Sequence, residues 1–384
     1  MRRTLVVALD IGATKVACAV GIPLAHGPGF EVLGTGLANH PTLTSTWPCE
    51  PSALARTVQQ ALDATDLTQP LQQAVVTLNH PQLMHTPVTA MVELADEPVA
   101  IRSRDLVRLR AQALAQALSL DRELLHLESL GYSANGFDRV LDPRGLAATR
   151  LRGAFHLVSV PLAVRQAVGE AIEAVGLEIA RWSYSLEAVV AACLDDSLSK
   201  QRSLVIDVGG SSTQVGLVVG GVIARSLTIP WGGMTLASAV AKTCRLTLEQ
   251  ALSVSLEGPA SPKPKVRQLI GQQLLFLQRG IHQLLKGEPQ PDLTLVTGRG
   301  ALIDGLVEWV EMATETNTVL GRSPRAKGLG DLSRQVALTP ALGLLELAFR
   351  MTPSSLRRSV PNASPSGMVD RLIDRTKTLL TEYF

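Results

Sequence analysis

The residues best suited to chemistry gather at two places where an apolar run ends on a carboxylate and a turn of small residues follows at once. The stretch SLVIDVGGSSTQVGLVV, from Ser203 to Val219, delivers Asp207, turns through Gly209, Gly210, Ser211, Ser212 and Thr213, and resumes as an apolar strand from Gln214. Glycine tolerates the backbone angles of a tight turn and hydroxyls bond back to the main chain, so a β-hairpin is predicted here. Such a turn points several amide N–H groups at one spot beside a carboxylate. A polyphosphate with a divalent cation suits that spot, because amides hold oxygens and the acid reaches the metal directly or through its waters. An ordinary glycine-rich hairpin reads the same way when the segment is taken alone.

A second copy of the pattern shifts the balance. Leu5 to Val20 reads LVVALDIGATKVACAV, again an apolar strand, then Asp10, a turn at Gly12, Ala13 and Thr14, and a returning strand that opens on Lys15. Aligning Asp10 with Asp207 pairs Gly12 with Gly209. Two hairpins of one design, far apart in the chain, imply two related lobes facing across a cleft, and Lys15 adds a cation for anionic oxygens. Two further glycine turns, Pro230-Trp231-Gly232-Gly233 and Thr297-Gly298-Arg299-Gly300, each lie between a predicted strand and a predicted helix. The second, with a helix expected over Leu302 to Glu311, offers another polar corner of the cleft.

The elements that must position these residues fit the chain's size. Its 384 residues are 46% apolar and 18% charged, enough for at least two cores and far from a disordered composition. A net charge of +2 without a block of Lys and Arg excludes a dedicated nucleic-acid binder. Arg102, Arg104, Arg108 and Arg110 read as a solvated helix face. Cys18, Cys49, Cys193 and Cys244 have no metal spacing, which points to a reduced cytosolic compartment. His80 and His85 have no acidic or cysteine companion and read as loop residues rather than ligands. No secretory leader is expected before Asp10, and the uncharged span Val208 to Ala224 carries the glycines and serines of a buried sheet rather than a membrane span.

Taken in order, an α/β fold is predicted. A first lobe comprises 1–81 and 159–201, an inserted α+β subdomain covers 82–158, and a second lobe covers 202–351, with a helical subdomain at 237–290. Helices are expected at Ser52 to Ala64, Ser103 to Leu118 (opened by a Ser103 cap), Val266 to Leu285 and Pro340 to Phe349. Residues 352–367, rich in proline and serine, read as a flexible tether. On a helical wheel 368–384 places Met368, Val369, Leu372, Ile373, Leu379, Leu380, Tyr383 and Phe384 within an arc of roughly 160°, interrupted only by Thr376, with the charged residues opposite. Such a helix can lie in a bilayer interface, and it can also dock on its own body or on a partner helix.

The paired hairpins at 10–16 and 207–213, with the Thr297-Gly298-Arg299-Gly300-Ala301 turn, resemble the phosphate and adenosine loops of the actin/sugar-kinase superfamily. Within it the chain most resembles the FtsA-type bacterial division proteins, through the insertion at 82–158, the phrase LDPRGLAATRL, the PWGG turn and the tethered terminal helix. The resemblance implies a two-lobed actin-like (ribonuclease H-like) fold binding ATP and Mg²⁺. Asp10 and Asp207 would hold the metal through water. The turn amides of Gly12, Ala13, Thr14, Gly209 and Gly210, with Lys15 and the Ser211, Ser212 and Thr213 hydroxyls, would hold phosphates. Gly232 and Gly233 would complete the site, Gly298, Arg299 and Gly300 would flank the adenine, and Glu187 would stand near the γ-phosphate as the catalytic candidate. It further implies the FtsZ C-terminal peptide, other division proteins, inner-membrane lipid and the chain itself as partners, and the cytoplasmic face of the inner membrane at the septum as its place. The chain departs from the pattern at Ser211, Gln214, Ala237, Ala239, Leu252, Ser255 and Arg299, and is short between Leu256 and Val266, so ATPase activity is expected to be weak or absent. A PilM-like adaptor of type IV pilus assembly shares the architecture and stands as the alternative; a small-molecule kinase would use the same cleft but would need a base that no motif supplies.

Overall fold

The structure is a computed structural model that describes residues 5–40, 50–329 and 332–350. Two compact units form, with boundaries after Leu83 and after Leu162. The chain begins with strands β1 (Val6–Ile11), β2 (Lys15–Pro23) and β3 (Phe30–Asn39), helix α1 (Pro51–Asp63) and strand β4 (Gln73–Leu78). The next unit holds β5 (Met84–Glu93), β6 (Val99–Ala100), α2 (Ser103–Ala117), β7 (Arg122–Ala134), β8 (Phe137–Val140), β9 (Ala147–Ala148) and β10 (Arg150–Pro161). The chain continues with α3 (Leu162–Ala174), β11 (Glu178–Tyr184), α4 (Ser185–Cys193), β12 (Ser203–Val208), β13 (Thr213–Val219), β14 (Val222–Ile229), α5 (Gly233–Cys244), α6 (Leu248–Ser255), α7 (Pro264–Leu285), β15 (Leu293–Thr297), α8 (Leu306–Thr314), β16 (Thr318–Leu320), β17 (Ala326–Lys327) and α9 (Leu332–Arg350).

The larger unit carries two sheets of matching design. One runs β11-β4-β1-β2-β3-β17 and the other β14-β13-β12-β15-β16. In each, an antiparallel meander is extended on the side of its first strand by two parallel strands. All six residues of β1 and of β12 are buried, as expected of central strands covered on both faces. The registers also match: Asp10 pairs with Ala17 and Thr77, while Asp207 pairs with Gln214 and Thr297. Both acids, and the residues leaving β4, β11 and β15, therefore stand at the carboxyl ends of parallel strands, where open α/β sheets leave room for a ligand.

Helix α9 covers the first sheet, with Leu338, Ala341, Leu342 and Leu345 packed among Val6, Ala8, Ala17 and Phe30. On the second sheet α7 buries Ile270, Leu274, Leu277 and Ile281 against Leu204, Ile206 and Leu217. Those α7 residues recur at three- and four-residue steps, a stripe worth about 1.5–3 kcal/mol for each large side chain buried. The smaller unit is an antiparallel sheet, β5-β10-β7-β8, with α2 packed so that Leu109 and Ala113 meet Ala90, Val92 and Phe155. Its β7–β8 hairpin turns through Asn135 and Gly136 at φ 43° and 84°, the two left-handed residues that a two-residue hairpin loop prefers.

Several expectations change. Ser103 is the first helical residue of α2 rather than its cap; the cap is Arg102, whose N–H donates to the Asp105 carboxylate at 2.9 Å. The Gly298 turn leads into a short 3₁₀ turn at Arg299–Leu302, and α8 begins only after Gly305 at φ 73°, so no α-helix N-terminus stands beside Arg299. Helix α9 starts well before Pro340 and contains it. His85 lies in β5, not in a loop, and its ring stacks on His156 of β10. No helix among the described residues is long and apolar enough to cross a membrane. Residues 352–367 and 368–384, expected as tether and amphipathic helix, lie outside the described residues.

Candidate functional site

The turns of the two hairpins repeat one another atom for atom at their closure. Gly12 N–H donates to Lys15 O and Gly209 N–H donates to Ser212 O, each at 3.0 Å and each two residues beyond its acid. The turns also meet: a Cβ added to Gly210 would fall 2.4 Å from the Thr14 methyl carbon, so only glycine lets them approach. The first N–H groups of α5, those of Gly233 and Met234, donate to Gly209 O and Gly210 O at 3.0 and 2.9 Å and fix the second turn. Between the lobes lies a cavity of about 380 Å³, within the range of small-ligand sites. Asp10, Gly12, Ala13, Thr14, Lys15, Asp207, Gly209, Gly210, Ser211, Ser212, Gly233, Gly298, Arg299 and Gly300 line it.

Both carboxylates are buried and tightly held. Asp10 Oδ1 accepts from Thr77 Oγ1 at 2.8 Å and from Ser185 Oγ at 3.3 Å, and Oδ2 accepts from Lys15 Nζ at 3.4 Å. Lys15 also donates to Ala337 O of α9 at 3.0 Å. Asp207 Oδ2 accepts from Asn79 Nδ2 at 3.4 Å. Burial, and then the negative charge of Asp10, push the Asp207 carboxyl up to about 7, against the opposing pull of Lys15 and of a hydrogen bond from Ser185. Two acids close enough to disturb each other invite a cation between them. Among the described residues no group of three or more metal-binding side chains forms. Two carboxylates alone match Mg²⁺, which keeps most of its waters and takes further ligands from phosphate.

The donors fit an anion. Ser211 Oγ lines the cavity, is buried and has no hydrogen-bond partner among the described residues, which is costly unless a ligand supplies one. Its neighbours are already engaged: Ser212 Oγ donates to Asn79 Oδ1 at 2.7 Å and Thr213 Oγ1 donates to Trp231 O at 2.8 Å. Thr213 and Gly232 support the turn from behind without lining the cavity. Glu187 is also away from the lining, its carboxylate taken by Arg181 and Ser183. The polar residue of that helix that does face the cavity is Ser185. Gln214 accepts from the Leu186 N–H at 3.0 Å, caps α4 and does not line the cavity.

Sequence reasoning passed over Thr77, Asn79 and Ser185. Each follows from the parallel register: β4 runs beside β1 and β11 beside β4, so Thr77 sits opposite Asp10, and the residues that follow their last paired positions, Asn79 and Ser185, arrive beside the acids. The signal available was a polar residue at or just past the end of each of these parallel strands. Met234, Leu252, Ser253, Ser255, Leu256 and Ile303 also line the cavity.

Comparison with known proteins accords with this geometry. The family model described as the SHS2 domain inserted in FTSA matches residues 82–159. Cell division protein FtsA of Pseudomonas aeruginosa is 22% identical over 396 residues, covering 94% of this chain and 93% of its own, and that of Escherichia coli K12 is 22% identical over 380 residues, covering 89% and 90%. Among solved structures, a PilM-PilN type IV pilus biogenesis complex matches with a TM-score of 0.68 at 16% identity, covering 90% of this chain and 98% of that one. MreB 5 of Spiroplasma citri bound to AMPPNP matches with a TM-score of 0.52 at 12% identity, covering 89% and 95%. These structural likenesses establish an actin-like fold.

Proposed function

Because this chain is an FtsA-type actin-like protein, we propose that it is a nucleotide-binding scaffold of cell division, tethering FtsZ to the cytoplasmic face of the inner membrane at the septum. The observation that carries the division role is the match of residues 82–159 to the FtsA-type SHS2 model, in a chain whose remaining strands form the two actin-like sheets. In this reading ATP with Mg²⁺ occupies the cavity and supplies the charge that holds the lobes together. Asp10 and Asp207 orient the metal through its waters. Lys15, Ser211 and the amides of the two turns receive phosphate oxygens, while Gly298 and Gly300 let the main chain lie close to the nucleotide. A candidate general base must come within hydrogen-bond reach of the attacking group, and Glu187 is spent on Arg181 and Ser183. The chain accordingly binds ATP with little or no turnover, and nucleotide occupancy sets lobe closure rather than driving a reaction.

The remaining contacts follow the same reading. The chain associates with itself, takes the FtsZ C-terminal peptide and other division proteins, and inserts the apolar arc of 368–384 into lipid. With balanced charge on the opposite arc, the tail binds through apolar insertion more than through anionic headgroups. Flotation with liposomes tests the tail: the full chain floats and a chain ending at Arg358 does not, whereas equal flotation removes the membrane role.

A second reading, an adaptor of type IV pilus assembly, is favoured by the likeness to PilM and by a second-lobe subdomain built of α5, α6, a short 3₁₀ turn at Gly258–Ala260 and α7, with no strand among the described residues. Such adaptors dock on a peptide from a membrane partner and need no lipid-binding tail. Pull-down with the FtsZ C-terminal peptide and with a pilus-partner peptide separates the two. Capture by the first supports the division scaffold, and capture by the second alone overturns it.

A further inference from the structure

The charged side chains on the cavity wall are Asp10, Lys15, Asp207 and Arg299. Three of them form the hairpin cluster, where Lys15 is already shared between Asp10 and a main-chain oxygen. Arg299 is differently placed. It leaves the second lobe on the short turn after β15 and donates one N–H to Asn39 Oδ1 at 3.1 Å, on the last residue of β3 in the first lobe. Asn39 is the strand partner of Lys15, so the guanidinium reaches across the cavity to the edge of the first phosphate-type turn. Its other N–H groups have no protein partner among the described residues, and a guanidinium carries five donors in a fork that matches phosphate oxygens.

The base of this arginine is fixed. Gly298 has φ 82°, and a Cβ there would lie 2.5 Å from Asp207 Oδ1; one on Gly300 would lie 2.2 Å from Val208 Cγ1. The main chain on either side of Arg299 is therefore pressed onto the strand that delivers Asp207. The cavity wall that α6 supplies has another character. Leu252 and Leu256, with Ile303, are apolar, Ser253 is exposed, and the Ser255 hydroxyl proton is donated to Ala251 O at 2.7 Å. Among the described lining residues no carboxylate or side-chain amide stands there to accept from sugar hydroxyls or to read the edge of a base. Polar groups that must be matched give strong discrimination, whereas apolar walls separate close analogues weakly.

We infer that this cavity selects its ligand by the polyphosphate, with Arg299 as a clamp from the second lobe onto phosphates held by the first, and that its nucleoside end scarcely distinguishes one base from another or ribose from deoxyribose. This rests on the nucleotide reading above and specifies which part of the nucleotide is recognised. Binding trades the Asn39 contact for phosphate and draws the two lobes onto one ligand.

Calorimetric titration of the full chain in Mg²⁺ with ATP, dATP, GTP and inorganic tripolyphosphate tests it, using the native protein, Arg299→Gln and Arg299→Lys. The three nucleotides should bind within about three-fold of one another, and tripolyphosphate should compete with them. Arg299→Gln should weaken all four ligands by a common factor of roughly ten or more, the loss expected of a charge-assisted hydrogen bond. Arg299→Lys, which keeps the charge and loses the fork, should fall between. Arg299 is exposed, so the unliganded variants should unfold at the native temperature. A preference for ATP above ten-fold over dATP or GTP overturns the selectivity, and unchanged or tighter binding by Arg299→Gln overturns the clamp. Absence of binding by every ligand to the native protein overturns the nucleotide reading itself, and this inference with it.

Discussion

Holding two carboxylates in one buried corner costs free energy, and Asp207 bears much of that cost. Its carboxyl is pushed up to about 7 by burial and by Asp10, so the folded unliganded protein holds a proton that the unfolded chain has already lost above about 4. The contribution of Asp207 to stability is therefore complete below about pH 4 and is lost as pH rises through about 7. A metal bound through its carboxylate requires the ionised form, so Mg²⁺-dependent ATP affinity should rise across the same upper range, from pH 6 to pH 8. Asp207→Asn separates the two effects. At pH 8 it should raise unliganded stability by at least about 1 kcal/mol, one unit of pKa being worth about 1.4, and lower Mg·ATP affinity at least ten-fold; unfolding in urea and calorimetric titration measure the pair. Asp10 and Asp207 were legible in the sequence because an apolar run, an acid and a glycine turn form one local pattern. Thr77, Asn79 and Ser185 were not, because their roles come from strands that join β1 in one sheet yet lie far from it in sequence.

At the level of elements, the ends of parallel strands and helix α9 are tied by hydroxyls as well as by packing. Pro340 has no N–H to offer the Val336 carbonyl; Thr339 Oγ1 shares its proton between the Gln335 and Val336 carbonyls at 3.0 and 3.2 Å, and Thr297 Oγ1 donates to Thr339 Oγ1 at 2.9 Å. Thr297 closes β15 in the second lobe, α9 packs on the sheet of the first, and Lys15 reaches the next carbonyl along, that of Ala337. Thr297→Val removes the hydroxyl at nearly constant shape, leaving Thr339 as the remaining side-chain donor. It should cost about 1–2 kcal/mol in urea unfolding. It should also weaken ATP binding, since the anchor of Lys15 shifts with α9; destabilisation with unaltered affinity would make the tie purely structural. The strands and long helices of this frame were readable from periodicity, which is strongest where burial is continuous. The 3₁₀ turn at 299–302 and the early start of α9 were not. Gly305 and Pro340 read as a helix interior and a helix start, and packing reversed both.

Across the whole molecule the two compact units carry buried titrating groups of opposite sense. In the smaller unit, burial and neighbouring positive charge lower His85 to about 3 and His156 to about 4, with His126 and Arg122 facing them and Glu128 opposing the shift of His156. A histidine whose folded pKa is lowered stays neutral in the fold while the unfolded chain gains a proton below about 6.5, so its unit loses stability as pH falls from 6.5 toward 4. Over the same interval protonation of Asp207 makes the larger unit more stable. Acidifying the unliganded full chain from pH 7 to pH 5 should therefore move the units in opposite directions. Hydrogen exchange, corrected for the intrinsic pH dependence of the chemical step, should show faster opening within 84–162 and slower opening in β12 and β13. The histidine response should shrink in His156→Gln, disappear when His85→Gln is added, and persist in Asp207→Asn, whereas the body's response should be lost only in Asp207→Asn. Parallel loss of protection in both units would mean that they unfold as one cooperative block, and that the protonation of these two buried sites does not govern the molecule's response to acid.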